Sequence, residues 1–358
     1  MAVDANVTQV SLASLFSFSC DVLEAAGLPR DSAESVAQSL TEADARGVSS
    51  HGVVRLLSVY VHRLQHGSTN PTPELRVVRH RGGIAVLDGD GGPGQVVGHA
   101  AMDLAIDRAQ IHGVSAVGVR NSSHFGIGAL YVEQAIRRDM IGLALTNAPA
   151  NMPPAGGRGR YLGTNPLTIG IPNSDGYPIV LDMATSVVAR GRIVMAHKEG
   201  RAIPAGWAID IEGRPTEDSA AALLGAVLPM GGYKGAGLAL AIDILCGVLT
   251  GAAFGTHIVD LYDDGDDHQN VGHLFLALAV DAFMPMPDFQ RRIQQFRDEV
   301  RSQPRLPTVD RIYLPGELEF EAAARSAQVG VALSEASRNE LDLLARQFKV
   351  VPLASRPK

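Results

Sequence analysis

The longest apolar run in the chain, residues 235–255, is the feature that most constrains its fold. The run reads GAGLALAIDILCGVLTGAAFG and carries a single charge, Asp243. Its length is that of a membrane-spanning helix. However, Asp243 would lie near the bilayer centre at a cost of about 3 kcal/mol, and neither an aromatic belt nor a basic flank borders the run. We therefore expect a fully buried core helix and no contact with a membrane.

Length, charge and cysteine content narrow the class of protein further. A chain of 358 residues can bury a large core, and its length suggests about two domains. Its net charge of -7 argues against nucleic acid as a partner, because nothing supplies a basic surface for phosphates. Cys20 and Cys246 are too few for a disulfide framework, and the N-terminus has no basic region typical of a signal peptide. We expect a cytoplasmic protein.

Apolar periodicity predicts a mixed α/β chain that begins with a helical layer. Residues 11–26, 32–45 and 50–67 show helical recurrence, and a hairpin then leads to a strand at residues 84–88. A helix at 95–112 and a strand at 114–120 follow. From residue 121 onward, short β-like runs alternate with loops rich in Gly, Pro and Asn, and helices return near the C-terminus.

A glycine-rich turn between the strand at 84–88 and the next helix has the spacing of a dinucleotide fingerprint. Gly89, Gly91 and Gly94 fit G-x-G-x-x-G, which can seat a pyrophosphate on a helix N-terminus. The surrounding pattern does not fit, because the next strand ends at Arg120 and Asn121 without the acidic residue that binds a ribose. A plain turn between strand and helix is the favoured interpretation.

An acidic loop at residues 260–271 suggests a calcium site only in part. Asp264 and Gly265 match positions five and six of such a loop, but Tyr262 and Val271 stand where ligands are needed. We expect a solvated loop and no metal site.

Two histidines and a lysine are candidates for chemistry. Ser50 and His51 precede Arg55, which shares a face with His51 if the segment is helical. His124 follows a strand end in a turn where a scaffold commonly presents a catalytic side chain. Together they offer an acid/base that titrates near neutrality and a forked cation for a carboxylate. Lys234, between glycines at the start of the apolar run, is suited to an anion.

Taken in order, these segments resemble the malate/L-lactate dehydrogenase family of NAD(P)-dependent oxidoreductases, which lacks a Rossmann domain. The resemblance covers about residues 45–320 and is carried by SSHGVVRL, DGDGGPGQ, NSSHFGIGALY, TNAPA, LGTNPLTIGIP, LDMATSVVARGRI, IPAGWAID, PMGGYKGAGLALAIDIL and LPGELE. It implies a mixed α/β (α+β) fold with a largely antiparallel sheet in a non-Rossmann cofactor domain, flanked by a helical domain from both chain ends. The implied division is residues 1–120 with 300–358 as the helical substrate and dimerisation domain, and 121–299 as the NAD(P)-binding domain. A homodimer is also implied.

The resemblance also implies roles for individual residues. His124 matches the catalytic acid/base, while Ser50, His51 and Asp182 match a relay described in the cyclic imino acid reductases of the family. Arg55 matches the residue that holds the substrate carboxylate, and Thr164 is expected near the substrate. The cofactor contacts that it implies are Phe125, Gly126, Asn147, Ala148, Asp182, Met183, Ala184, Lys234, Pro315, Gly316 and Glu317.

The expected reaction is hydride transfer between nicotinamide and a small 2-oxo or 2-hydroxy acid, such as malate or lactate. The cofactor supplies the hydride, and the protein supplies orientation and a proton. Reduction of a cyclic imino acid is the first alternative, and a non-catalytic dinucleotide-binding protein or a metal-dependent hydrolase are others. The sequence leaves both NAD and NADP open.

Overall fold

A computed structural model describes residues 8–173 and 176–356 of the chain. Residues 1–7, part of the stretch that argues against a signal peptide, lie outside this range. The strands are β1 Thr8–Val10, β2 Arg76–Arg81, β3 Ile84–Asp88, β4 Val114–Ser122, β5 Met140–Thr146, β6 Leu167–Ile171, β7 Ile179–Met183, β8 Ala208–Ile209, β9 Pro215–Thr216, β10 Ala226–Val227, β11 Val271–Ala279 and β12 Val331–Leu333. The α-helices are α1 Leu12–Ala25, α2 Arg30–Ala45, α3 His62–Gln65, α4 Gly94–His112, α5 Ala129–Ile136, α6 Arg190–Lys198, α7 Ser219–Leu224, α8 Tyr233–Asp243, α9 Met286–Arg301, α10 Glu317–Val329 and α11 Glu335–Phe348.

A seven-stranded sheet in the order β2-β3-β4-β11-β5-β6-β7 forms the centre of the fold. β3 and β4 are parallel and are joined by α4, while the other neighbouring strands described in this sheet are antiparallel. The mixed α/β fold with a largely antiparallel sheet is therefore confirmed. Sheet strands come from both sides of residue 120, and the proposed division into two domains stays a prediction.

Both ends of the chain contribute to one helical core. Leu15, Phe18 and Leu40 from α1 and α2 pack in the same buried cluster as Leu341 and Leu344 from α11. The two-stranded sheet of β1 and β12 pairs the same two ends of the chain. The expected helical layer from both chain ends is confirmed.

The segment predicted as a single helix over residues 50–67 is helical over residues 54–65, but the helix is shorter than predicted and irregular. Ser49–His51 form a separate 3-10 turn, and within the helical stretch Leu56–Val61 are π-helical while α3 is a regular α-helix. Gly52 interrupts this segment, and the β-branched valines of the segment have low helix propensity.

The apolar run that we expected as one fully buried helix is also different. α8 continues into a π-helical segment, Ile244–Val248, and the helical structure ends soon afterwards. Leu240, Ile244 and Val248 are 45%, 47% and 55% exposed, so one face of this helix is open. We call Leu240, Ile244 and Val248 the α8 stripe. In the part of the chain that the structure describes, no helix meets the length and hydropathy needed to span a membrane.

Candidate active site

His124 lies just after β4, and three separate parts of the chain fix its position. The Tyr60 hydroxyl is 2.8 Å from His124 Nδ1, and Gln95 Nε2 donates to the same hydroxyl oxygen over 2.6 Å. The backbone N–H of His124 donates to Gln269 Oε1 at 3.1 Å. Since Tyr60 occupies Nδ1, Nε2 is the ring nitrogen left for a substrate.

The glycine-rich turn packs against the residues just before His124, and its amides do not form an open phosphate-binding site. The N–H groups of Gly89 and Gly91 donate to the carbonyls of Arg120 and Asn121, at 2.9 and 2.8 Å. The N–H of Gly94 donates to Ser123 Oγ at 3.0 Å. These amides would have to be free to bind a pyrophosphate, so the interpretation as a plain turn agrees with their contacts.

His51 and Arg55 lie beside His124. The His51 and His124 rings stack with centroids 5.7 Å apart and planes inclined by 20°. Ser50 Oγ is 3.0 Å from His51 Nδ1, and Arg55 Nε donates to the Ser50 carbonyl oxygen at 2.6 Å. Among the described residues, no carboxylate pairs with Arg55 and its two Nη groups have no hydrogen-bond partner. The forked end of this cation is therefore available to an anion.

The surroundings of the two histidines keep their rings neutral. Both keep part of their surface open, but the protein around them excludes most water. This desolvation, reinforced by the charge of Arg55, lowers the pKa of His51 to about 3. Desolvation also places the pKa of His124 well below its usual range, with smaller effects from Arg55, His51 and His273. Burial raises the pKa of Tyr60 to about 12, so its hydroxyl keeps its proton.

Asp182 lies near the end of β7 and faces the turn after His124. Its carboxylate accepts hydrogen bonds from Thr168 Oγ1 at 2.8 Å and from the Ala129 N–H at 3.0 Å. Asp182 retains exposed surface, yet the atoms packed around it desolvate the carboxyl and raise its pKa. It makes no hydrogen bond with Ser50 or His51 among the described contacts, so only the Ser50–His51 link of the expected relay is present here.

Several of the expected cofactor segments meet near the end of β7. The Thr185 N–H and Oγ1 both donate to the Thr164 carbonyl at 2.9 Å, and the Met230 N–H donates to the Thr185 carbonyl at 2.9 Å. Met230 leads into the first turn of α8, where Lys234 is exposed. On the other side, the Val180 N–H donates to the Pro315 carbonyl at 3.0 Å. Met183 and Ala184, half-buried, lie between these contacts.

Other expected cofactor residues have polar groups that the protein itself uses. The Asn147 side chain, 1% exposed, donates to Asp243 and the Ala253 carbonyl and accepts from the Gly272 N–H. The Ala148 N–H donates to Asn165 Oδ1, and Glu317 pairs with Arg301.

Backbone geometry limits what the remaining expected contacts can offer. Phe125 is 3% exposed and stacks on His273. Gly126 and Gly316 have positive φ angles of 80° and 90°, a conformation suited to glycine. Any contact from Phe125, Gly126 or Gly316 to a cofactor would come through the backbone, and these roles stay predictions.

Sequence reasoning missed Tyr60, Gln95, Gln269 and His273. Tyr60 and Gln95 lie in segments whose apolar spacing assigns them to the core. His273 is fully buried in β11, between Thr146 Oγ1 at 2.7 Å and Ser122 Oγ at 2.8 Å. A polar residue in a strongly apolar strand was the available signal, because buried polar side chains need partners.

Comparison with known proteins identifies the family. A sequence model of malate/L-lactate dehydrogenase matches residues 10–342. The chain belongs to the malate/L-lactate dehydrogenase family. The structure of malate dehydrogenase from Pyrococcus horikoshii OT3 matches with a TM-score of 0.90 and 36% identity, covering 98% of this chain and 99% of that chain.

Two further relatives show the range of named activities around this chain. L-sulfolactate dehydrogenase of Methanocaldococcus jannaschii is 41% identical over 299 residues, which are 84% of this chain and 86% of the relative. The structure of delta1-piperideine-2-carboxylate reductase from Pseudomonas syringae pvar. tomato matches with a TM-score of 0.82 and 29% identity, over 94% of this chain and 100% of that chain. As a family member, the chain is an NAD(P)-dependent oxidoreductase of hydroxy acids.

Proposed function

We propose that this member of the malate/L-lactate dehydrogenase family interconverts a small, linear 2-hydroxy acid and its 2-oxo acid. The observation that carries the proposal is the Arg55 fork, unpaired among the described residues, beside the neutral rings of His51 and His124. A guanidinium binds a carboxylate through two parallel hydrogen bonds, and an imidazole exchanges a proton with an adjacent oxygen. A 2-hydroxy acid offers these two groups on neighbouring carbons.

His124 acts as the acid/base in this proposal. In the oxidative direction, neutral His124 accepts the hydroxyl proton at Nε2 while C2 loses a hydride. In the reductive direction, the protonated ring returns that proton to the alkoxide oxygen that forms. Because Nε2 must be bare to accept that proton, neutral His124 carries its own proton on Nδ1, and the Tyr60 oxygen accepts from Nδ1–H both before and after the transfer.

In this proposal, Arg55 binds the substrate carboxylate and thereby orients the substrate. Its Nε is held by the Ser50 carbonyl, which leaves the Nη groups fixed in direction. A carboxylate held there presents C2 of the substrate in one pose, and such positioning accounts for a large share of catalysis. Ser50 and His51 form the adjacent polar wall, and we propose Thr164 as a further substrate contact.

The residues around β7 and α8 fit NAD or NADP. Lys234 and the N-terminus of α8 offer positive charge for phosphates, and a Cβ built on Gly232 would meet nothing within 4 Å. Pro315 and Gly316 contact Val180 of β7, and we propose them, with Met183 and Ala184, as further cofactor contacts. When bound, the nicotinamide exchanges the hydride with C2 of the substrate.

We propose a homodimer in which the α8 stripe lies at the interface. Three aliphatic side chains at four-residue intervals form a continuous apolar strip that is costly to leave in water. We also propose a cytoplasmic location, supported by the two free, buried cysteines.

Reduction of a cyclic imino acid is the second candidate, supported by the similarity to the piperideine-2-carboxylate reductase. A steady-state panel separates the two. Pyruvate, oxaloacetate and Δ1-pyrroline-2-carboxylate are each assayed with NADH and with NADPH. We expect a higher kcat/KM for a 2-oxo acid, whereas preference for the imine would overturn the proposal. Absence of turnover with all three compounds would favour a non-catalytic role.

A further inference from the structure

We propose that Asp44 is a positioning residue that holds the segment carrying His51 and Arg55 against the end of α2. This inference rests on the proposed function, since it concerns how the substrate carboxylate is held.

The first observation is a hydrogen bond between α2 and that segment. Asp44 is the penultimate residue of α2, and its Oδ2 accepts the Val53 N–H at 2.8 Å. Val53 lies between His51 and Arg55. The bond therefore ties the backbone to α2 in the middle of the segment that carries both side chains.

The second observation is the close approach of Gly52 to the same carboxylate. A Cβ built on Gly52 would lie 2.0 Å from Asp44 Oδ1 and 2.2 Å from its Cγ. Real Cβ atoms essentially never come this close to another heavy atom, so the carboxylate rests directly on the Gly52 backbone. Any other L-residue here would push the segment and the carboxylate apart.

The third observation is that the other backbone hydrogen bonds described for residues 51–55 are local. Ser49–His51 form a single 3-10 turn, and the local backbone bonds run within the segment: His51 N–H to Val48 carbonyl and Arg55 N–H to Gly52 carbonyl. Arg55 is in turn tied to the Ser50 carbonyl. These bonds shape the segment itself, while burial of Val53 in the helical core and its hydrogen bond to Asp44 hold the segment on the body of the protein.

Asp44 is also an uncommon choice for a purely structural cap. Desolvation raises the pKa of this carboxyl to about 7, with the Val53 N–H opposing the shift. A charged group that is desolvated and lacks a cationic partner in the described structure destabilises the fold. A destabilising carboxyl at this place is expected where the position of the segment matters for the site.

The test compares Asp44→Ala and Asp44→Asn with an exposed control on α4, Asp107→Ala. Asp44→Ala should raise KM for the 2-oxo acid about 10- to 100-fold, because Arg55, which binds the substrate carboxylate, is displaced. Its Kd for NADH, measured by nicotinamide fluorescence, should stay within about twofold, since the cofactor segments lie elsewhere. Asp44→Asn keeps an acceptor for the Val53 N–H and should restore KM to within about threefold of the wild type. Asp107→Ala should change neither constant.

Gly52→Ala disturbs the same contact between Gly52 and Asp44 and should reproduce the rise in KM. If Asp44→Ala fails to fold, this variant and Asp44→Asn still decide the question. Equal changes in KM and in NADH affinity, or an unchanged KM in Asp44→Ala, would overturn the inference.

Hydrogen exchange separates this inference from the proposed function. In Asp44→Ala, a peptide covering residues 49–55 should exchange faster than in the wild type, whatever the substrate is. If the wild type reduces no 2-oxo acid but this exchange still rises, the proposed function fails and the anchoring role stands. Unchanged exchange would contradict the anchoring role itself.

Discussion

At the scale of single residues, the contact between Tyr60 and His124 is the most consequential one that no sequence motif predicts. The hydroxyl fixes the ring from the Nδ1 side, and Gln95 fixes the hydroxyl. A histidine that exchanges a proton at Nε2 keeps a proton on Nδ1 in both states, and the Tyr60 oxygen is positioned to accept a hydrogen bond from it.

Tyr60→Phe should lower kcat about 10- to 100-fold, because a hydrogen bond to a ring that becomes charged contributes about 1.5–3 kcal/mol. The acidic limb of the kcat–pH profile should move with it, while KM for the substrate changes little. Tyr177→Phe is the matched control, since Tyr177 stacks on Phe320 and is 42% exposed. An unchanged pH profile in Tyr60→Phe would contradict the role assigned to Tyr60.

Residue identities were predicted best where a short motif carries the chemistry. Ser50, His51, Arg55 and His124 come from such motifs, and the structure brings them together. Tyr60 could not be found in this way, because its partner lies 64 residues away and its own segment reads as core. Asp182 was expected in a relay with His51, but its hydrogen bonds go to Thr168 and Ala129. Distances between loops are not encoded in local spacing.

At the scale of elements, the glycine-rich turn before α4 acts as a support for the catalytic histidine. A Cβ built on Gly94 would lie 2.2 Å from the Ser123 carbonyl oxygen and 2.6 Å from the His124 carbonyl carbon. The absence of a side chain lets the start of α4 rest on the backbone that carries the His124 ring. The spacing of the glycines was visible in the sequence, but their use depends on what the turn contacts.

Gly94→Ala should destabilise the protein by about 1–3 kcal/mol, because backbone atoms cannot move aside as a flexible side chain would. It should also lower kcat, since His124 shifts with its carbonyl. Chemical denaturation and steady-state kinetics measure the two effects. Gly159→Ala, where a Cβ would meet nothing within 4 Å, is the control. Wild-type kcat in Gly94→Ala would show that the turn does not position His124.

The boundaries of helices agreed with the sequence prediction where apolar residues recur with one helical period along the whole segment. α1 and α2 lie within about two residues of the apolar periodicity. The segment after Ser49 departs from it because Gly52, the valines and Asp44 act together there, and a tertiary contact takes the Val53 N–H. The open face of α8 was also unpredictable, because an apolar run does not reveal which of its faces the rest of the chain covers.

At the scale of the whole molecule, buried histidines tie stability to pH. Desolvation lowers the pKa of His273 from 6.5 to about 3. The unfolded chain therefore binds one more proton than the native state at this site between about pH 6.5 and 3. The contribution of His273 is complete above pH 6.5 and is lost as the pH falls through this window. Asp44, whose pKa is raised to about 7, acts in the opposite direction between about pH 4 and 7.

His273→Gln removes the difference in proton binding at this position between the unfolded and native states. Relative to the wild type, its free energy of unfolding should fall less steeply on acidification, by about 1.4 kcal/mol per pH unit between pH 6 and 4. Urea unfolding at a series of pH values measures this difference. Parallel curves for the two proteins would mean that His273 is protonated equally in both states.

The α8 stripe provides a prediction about assembly. Ile244→Glu should convert the proposed dimer to a monomer in sedimentation experiments, because a carboxylate would be desolvated at the interface. Leu343→Glu on α11 is the control, since Leu343 is equally exposed at 47% but lies outside the stripe. A dimer that survives Ile244→Glu would place the interface on another surface.

The measurement that tests the central claim most directly follows the hydride itself. Reduced cofactor that carries deuterium at both C4 positions is incubated with a 2-oxo acid, and the product is analysed by mass spectrometry. We predict deuterium at C2 of the 2-hydroxy acid, with a rate that falls about 10²- to 10⁴-fold in His124→Ala and stays unchanged in His80→Ala, an exposed histidine of β2. Product without deuterium, or an unchanged rate in His124→Ala, would contradict the account.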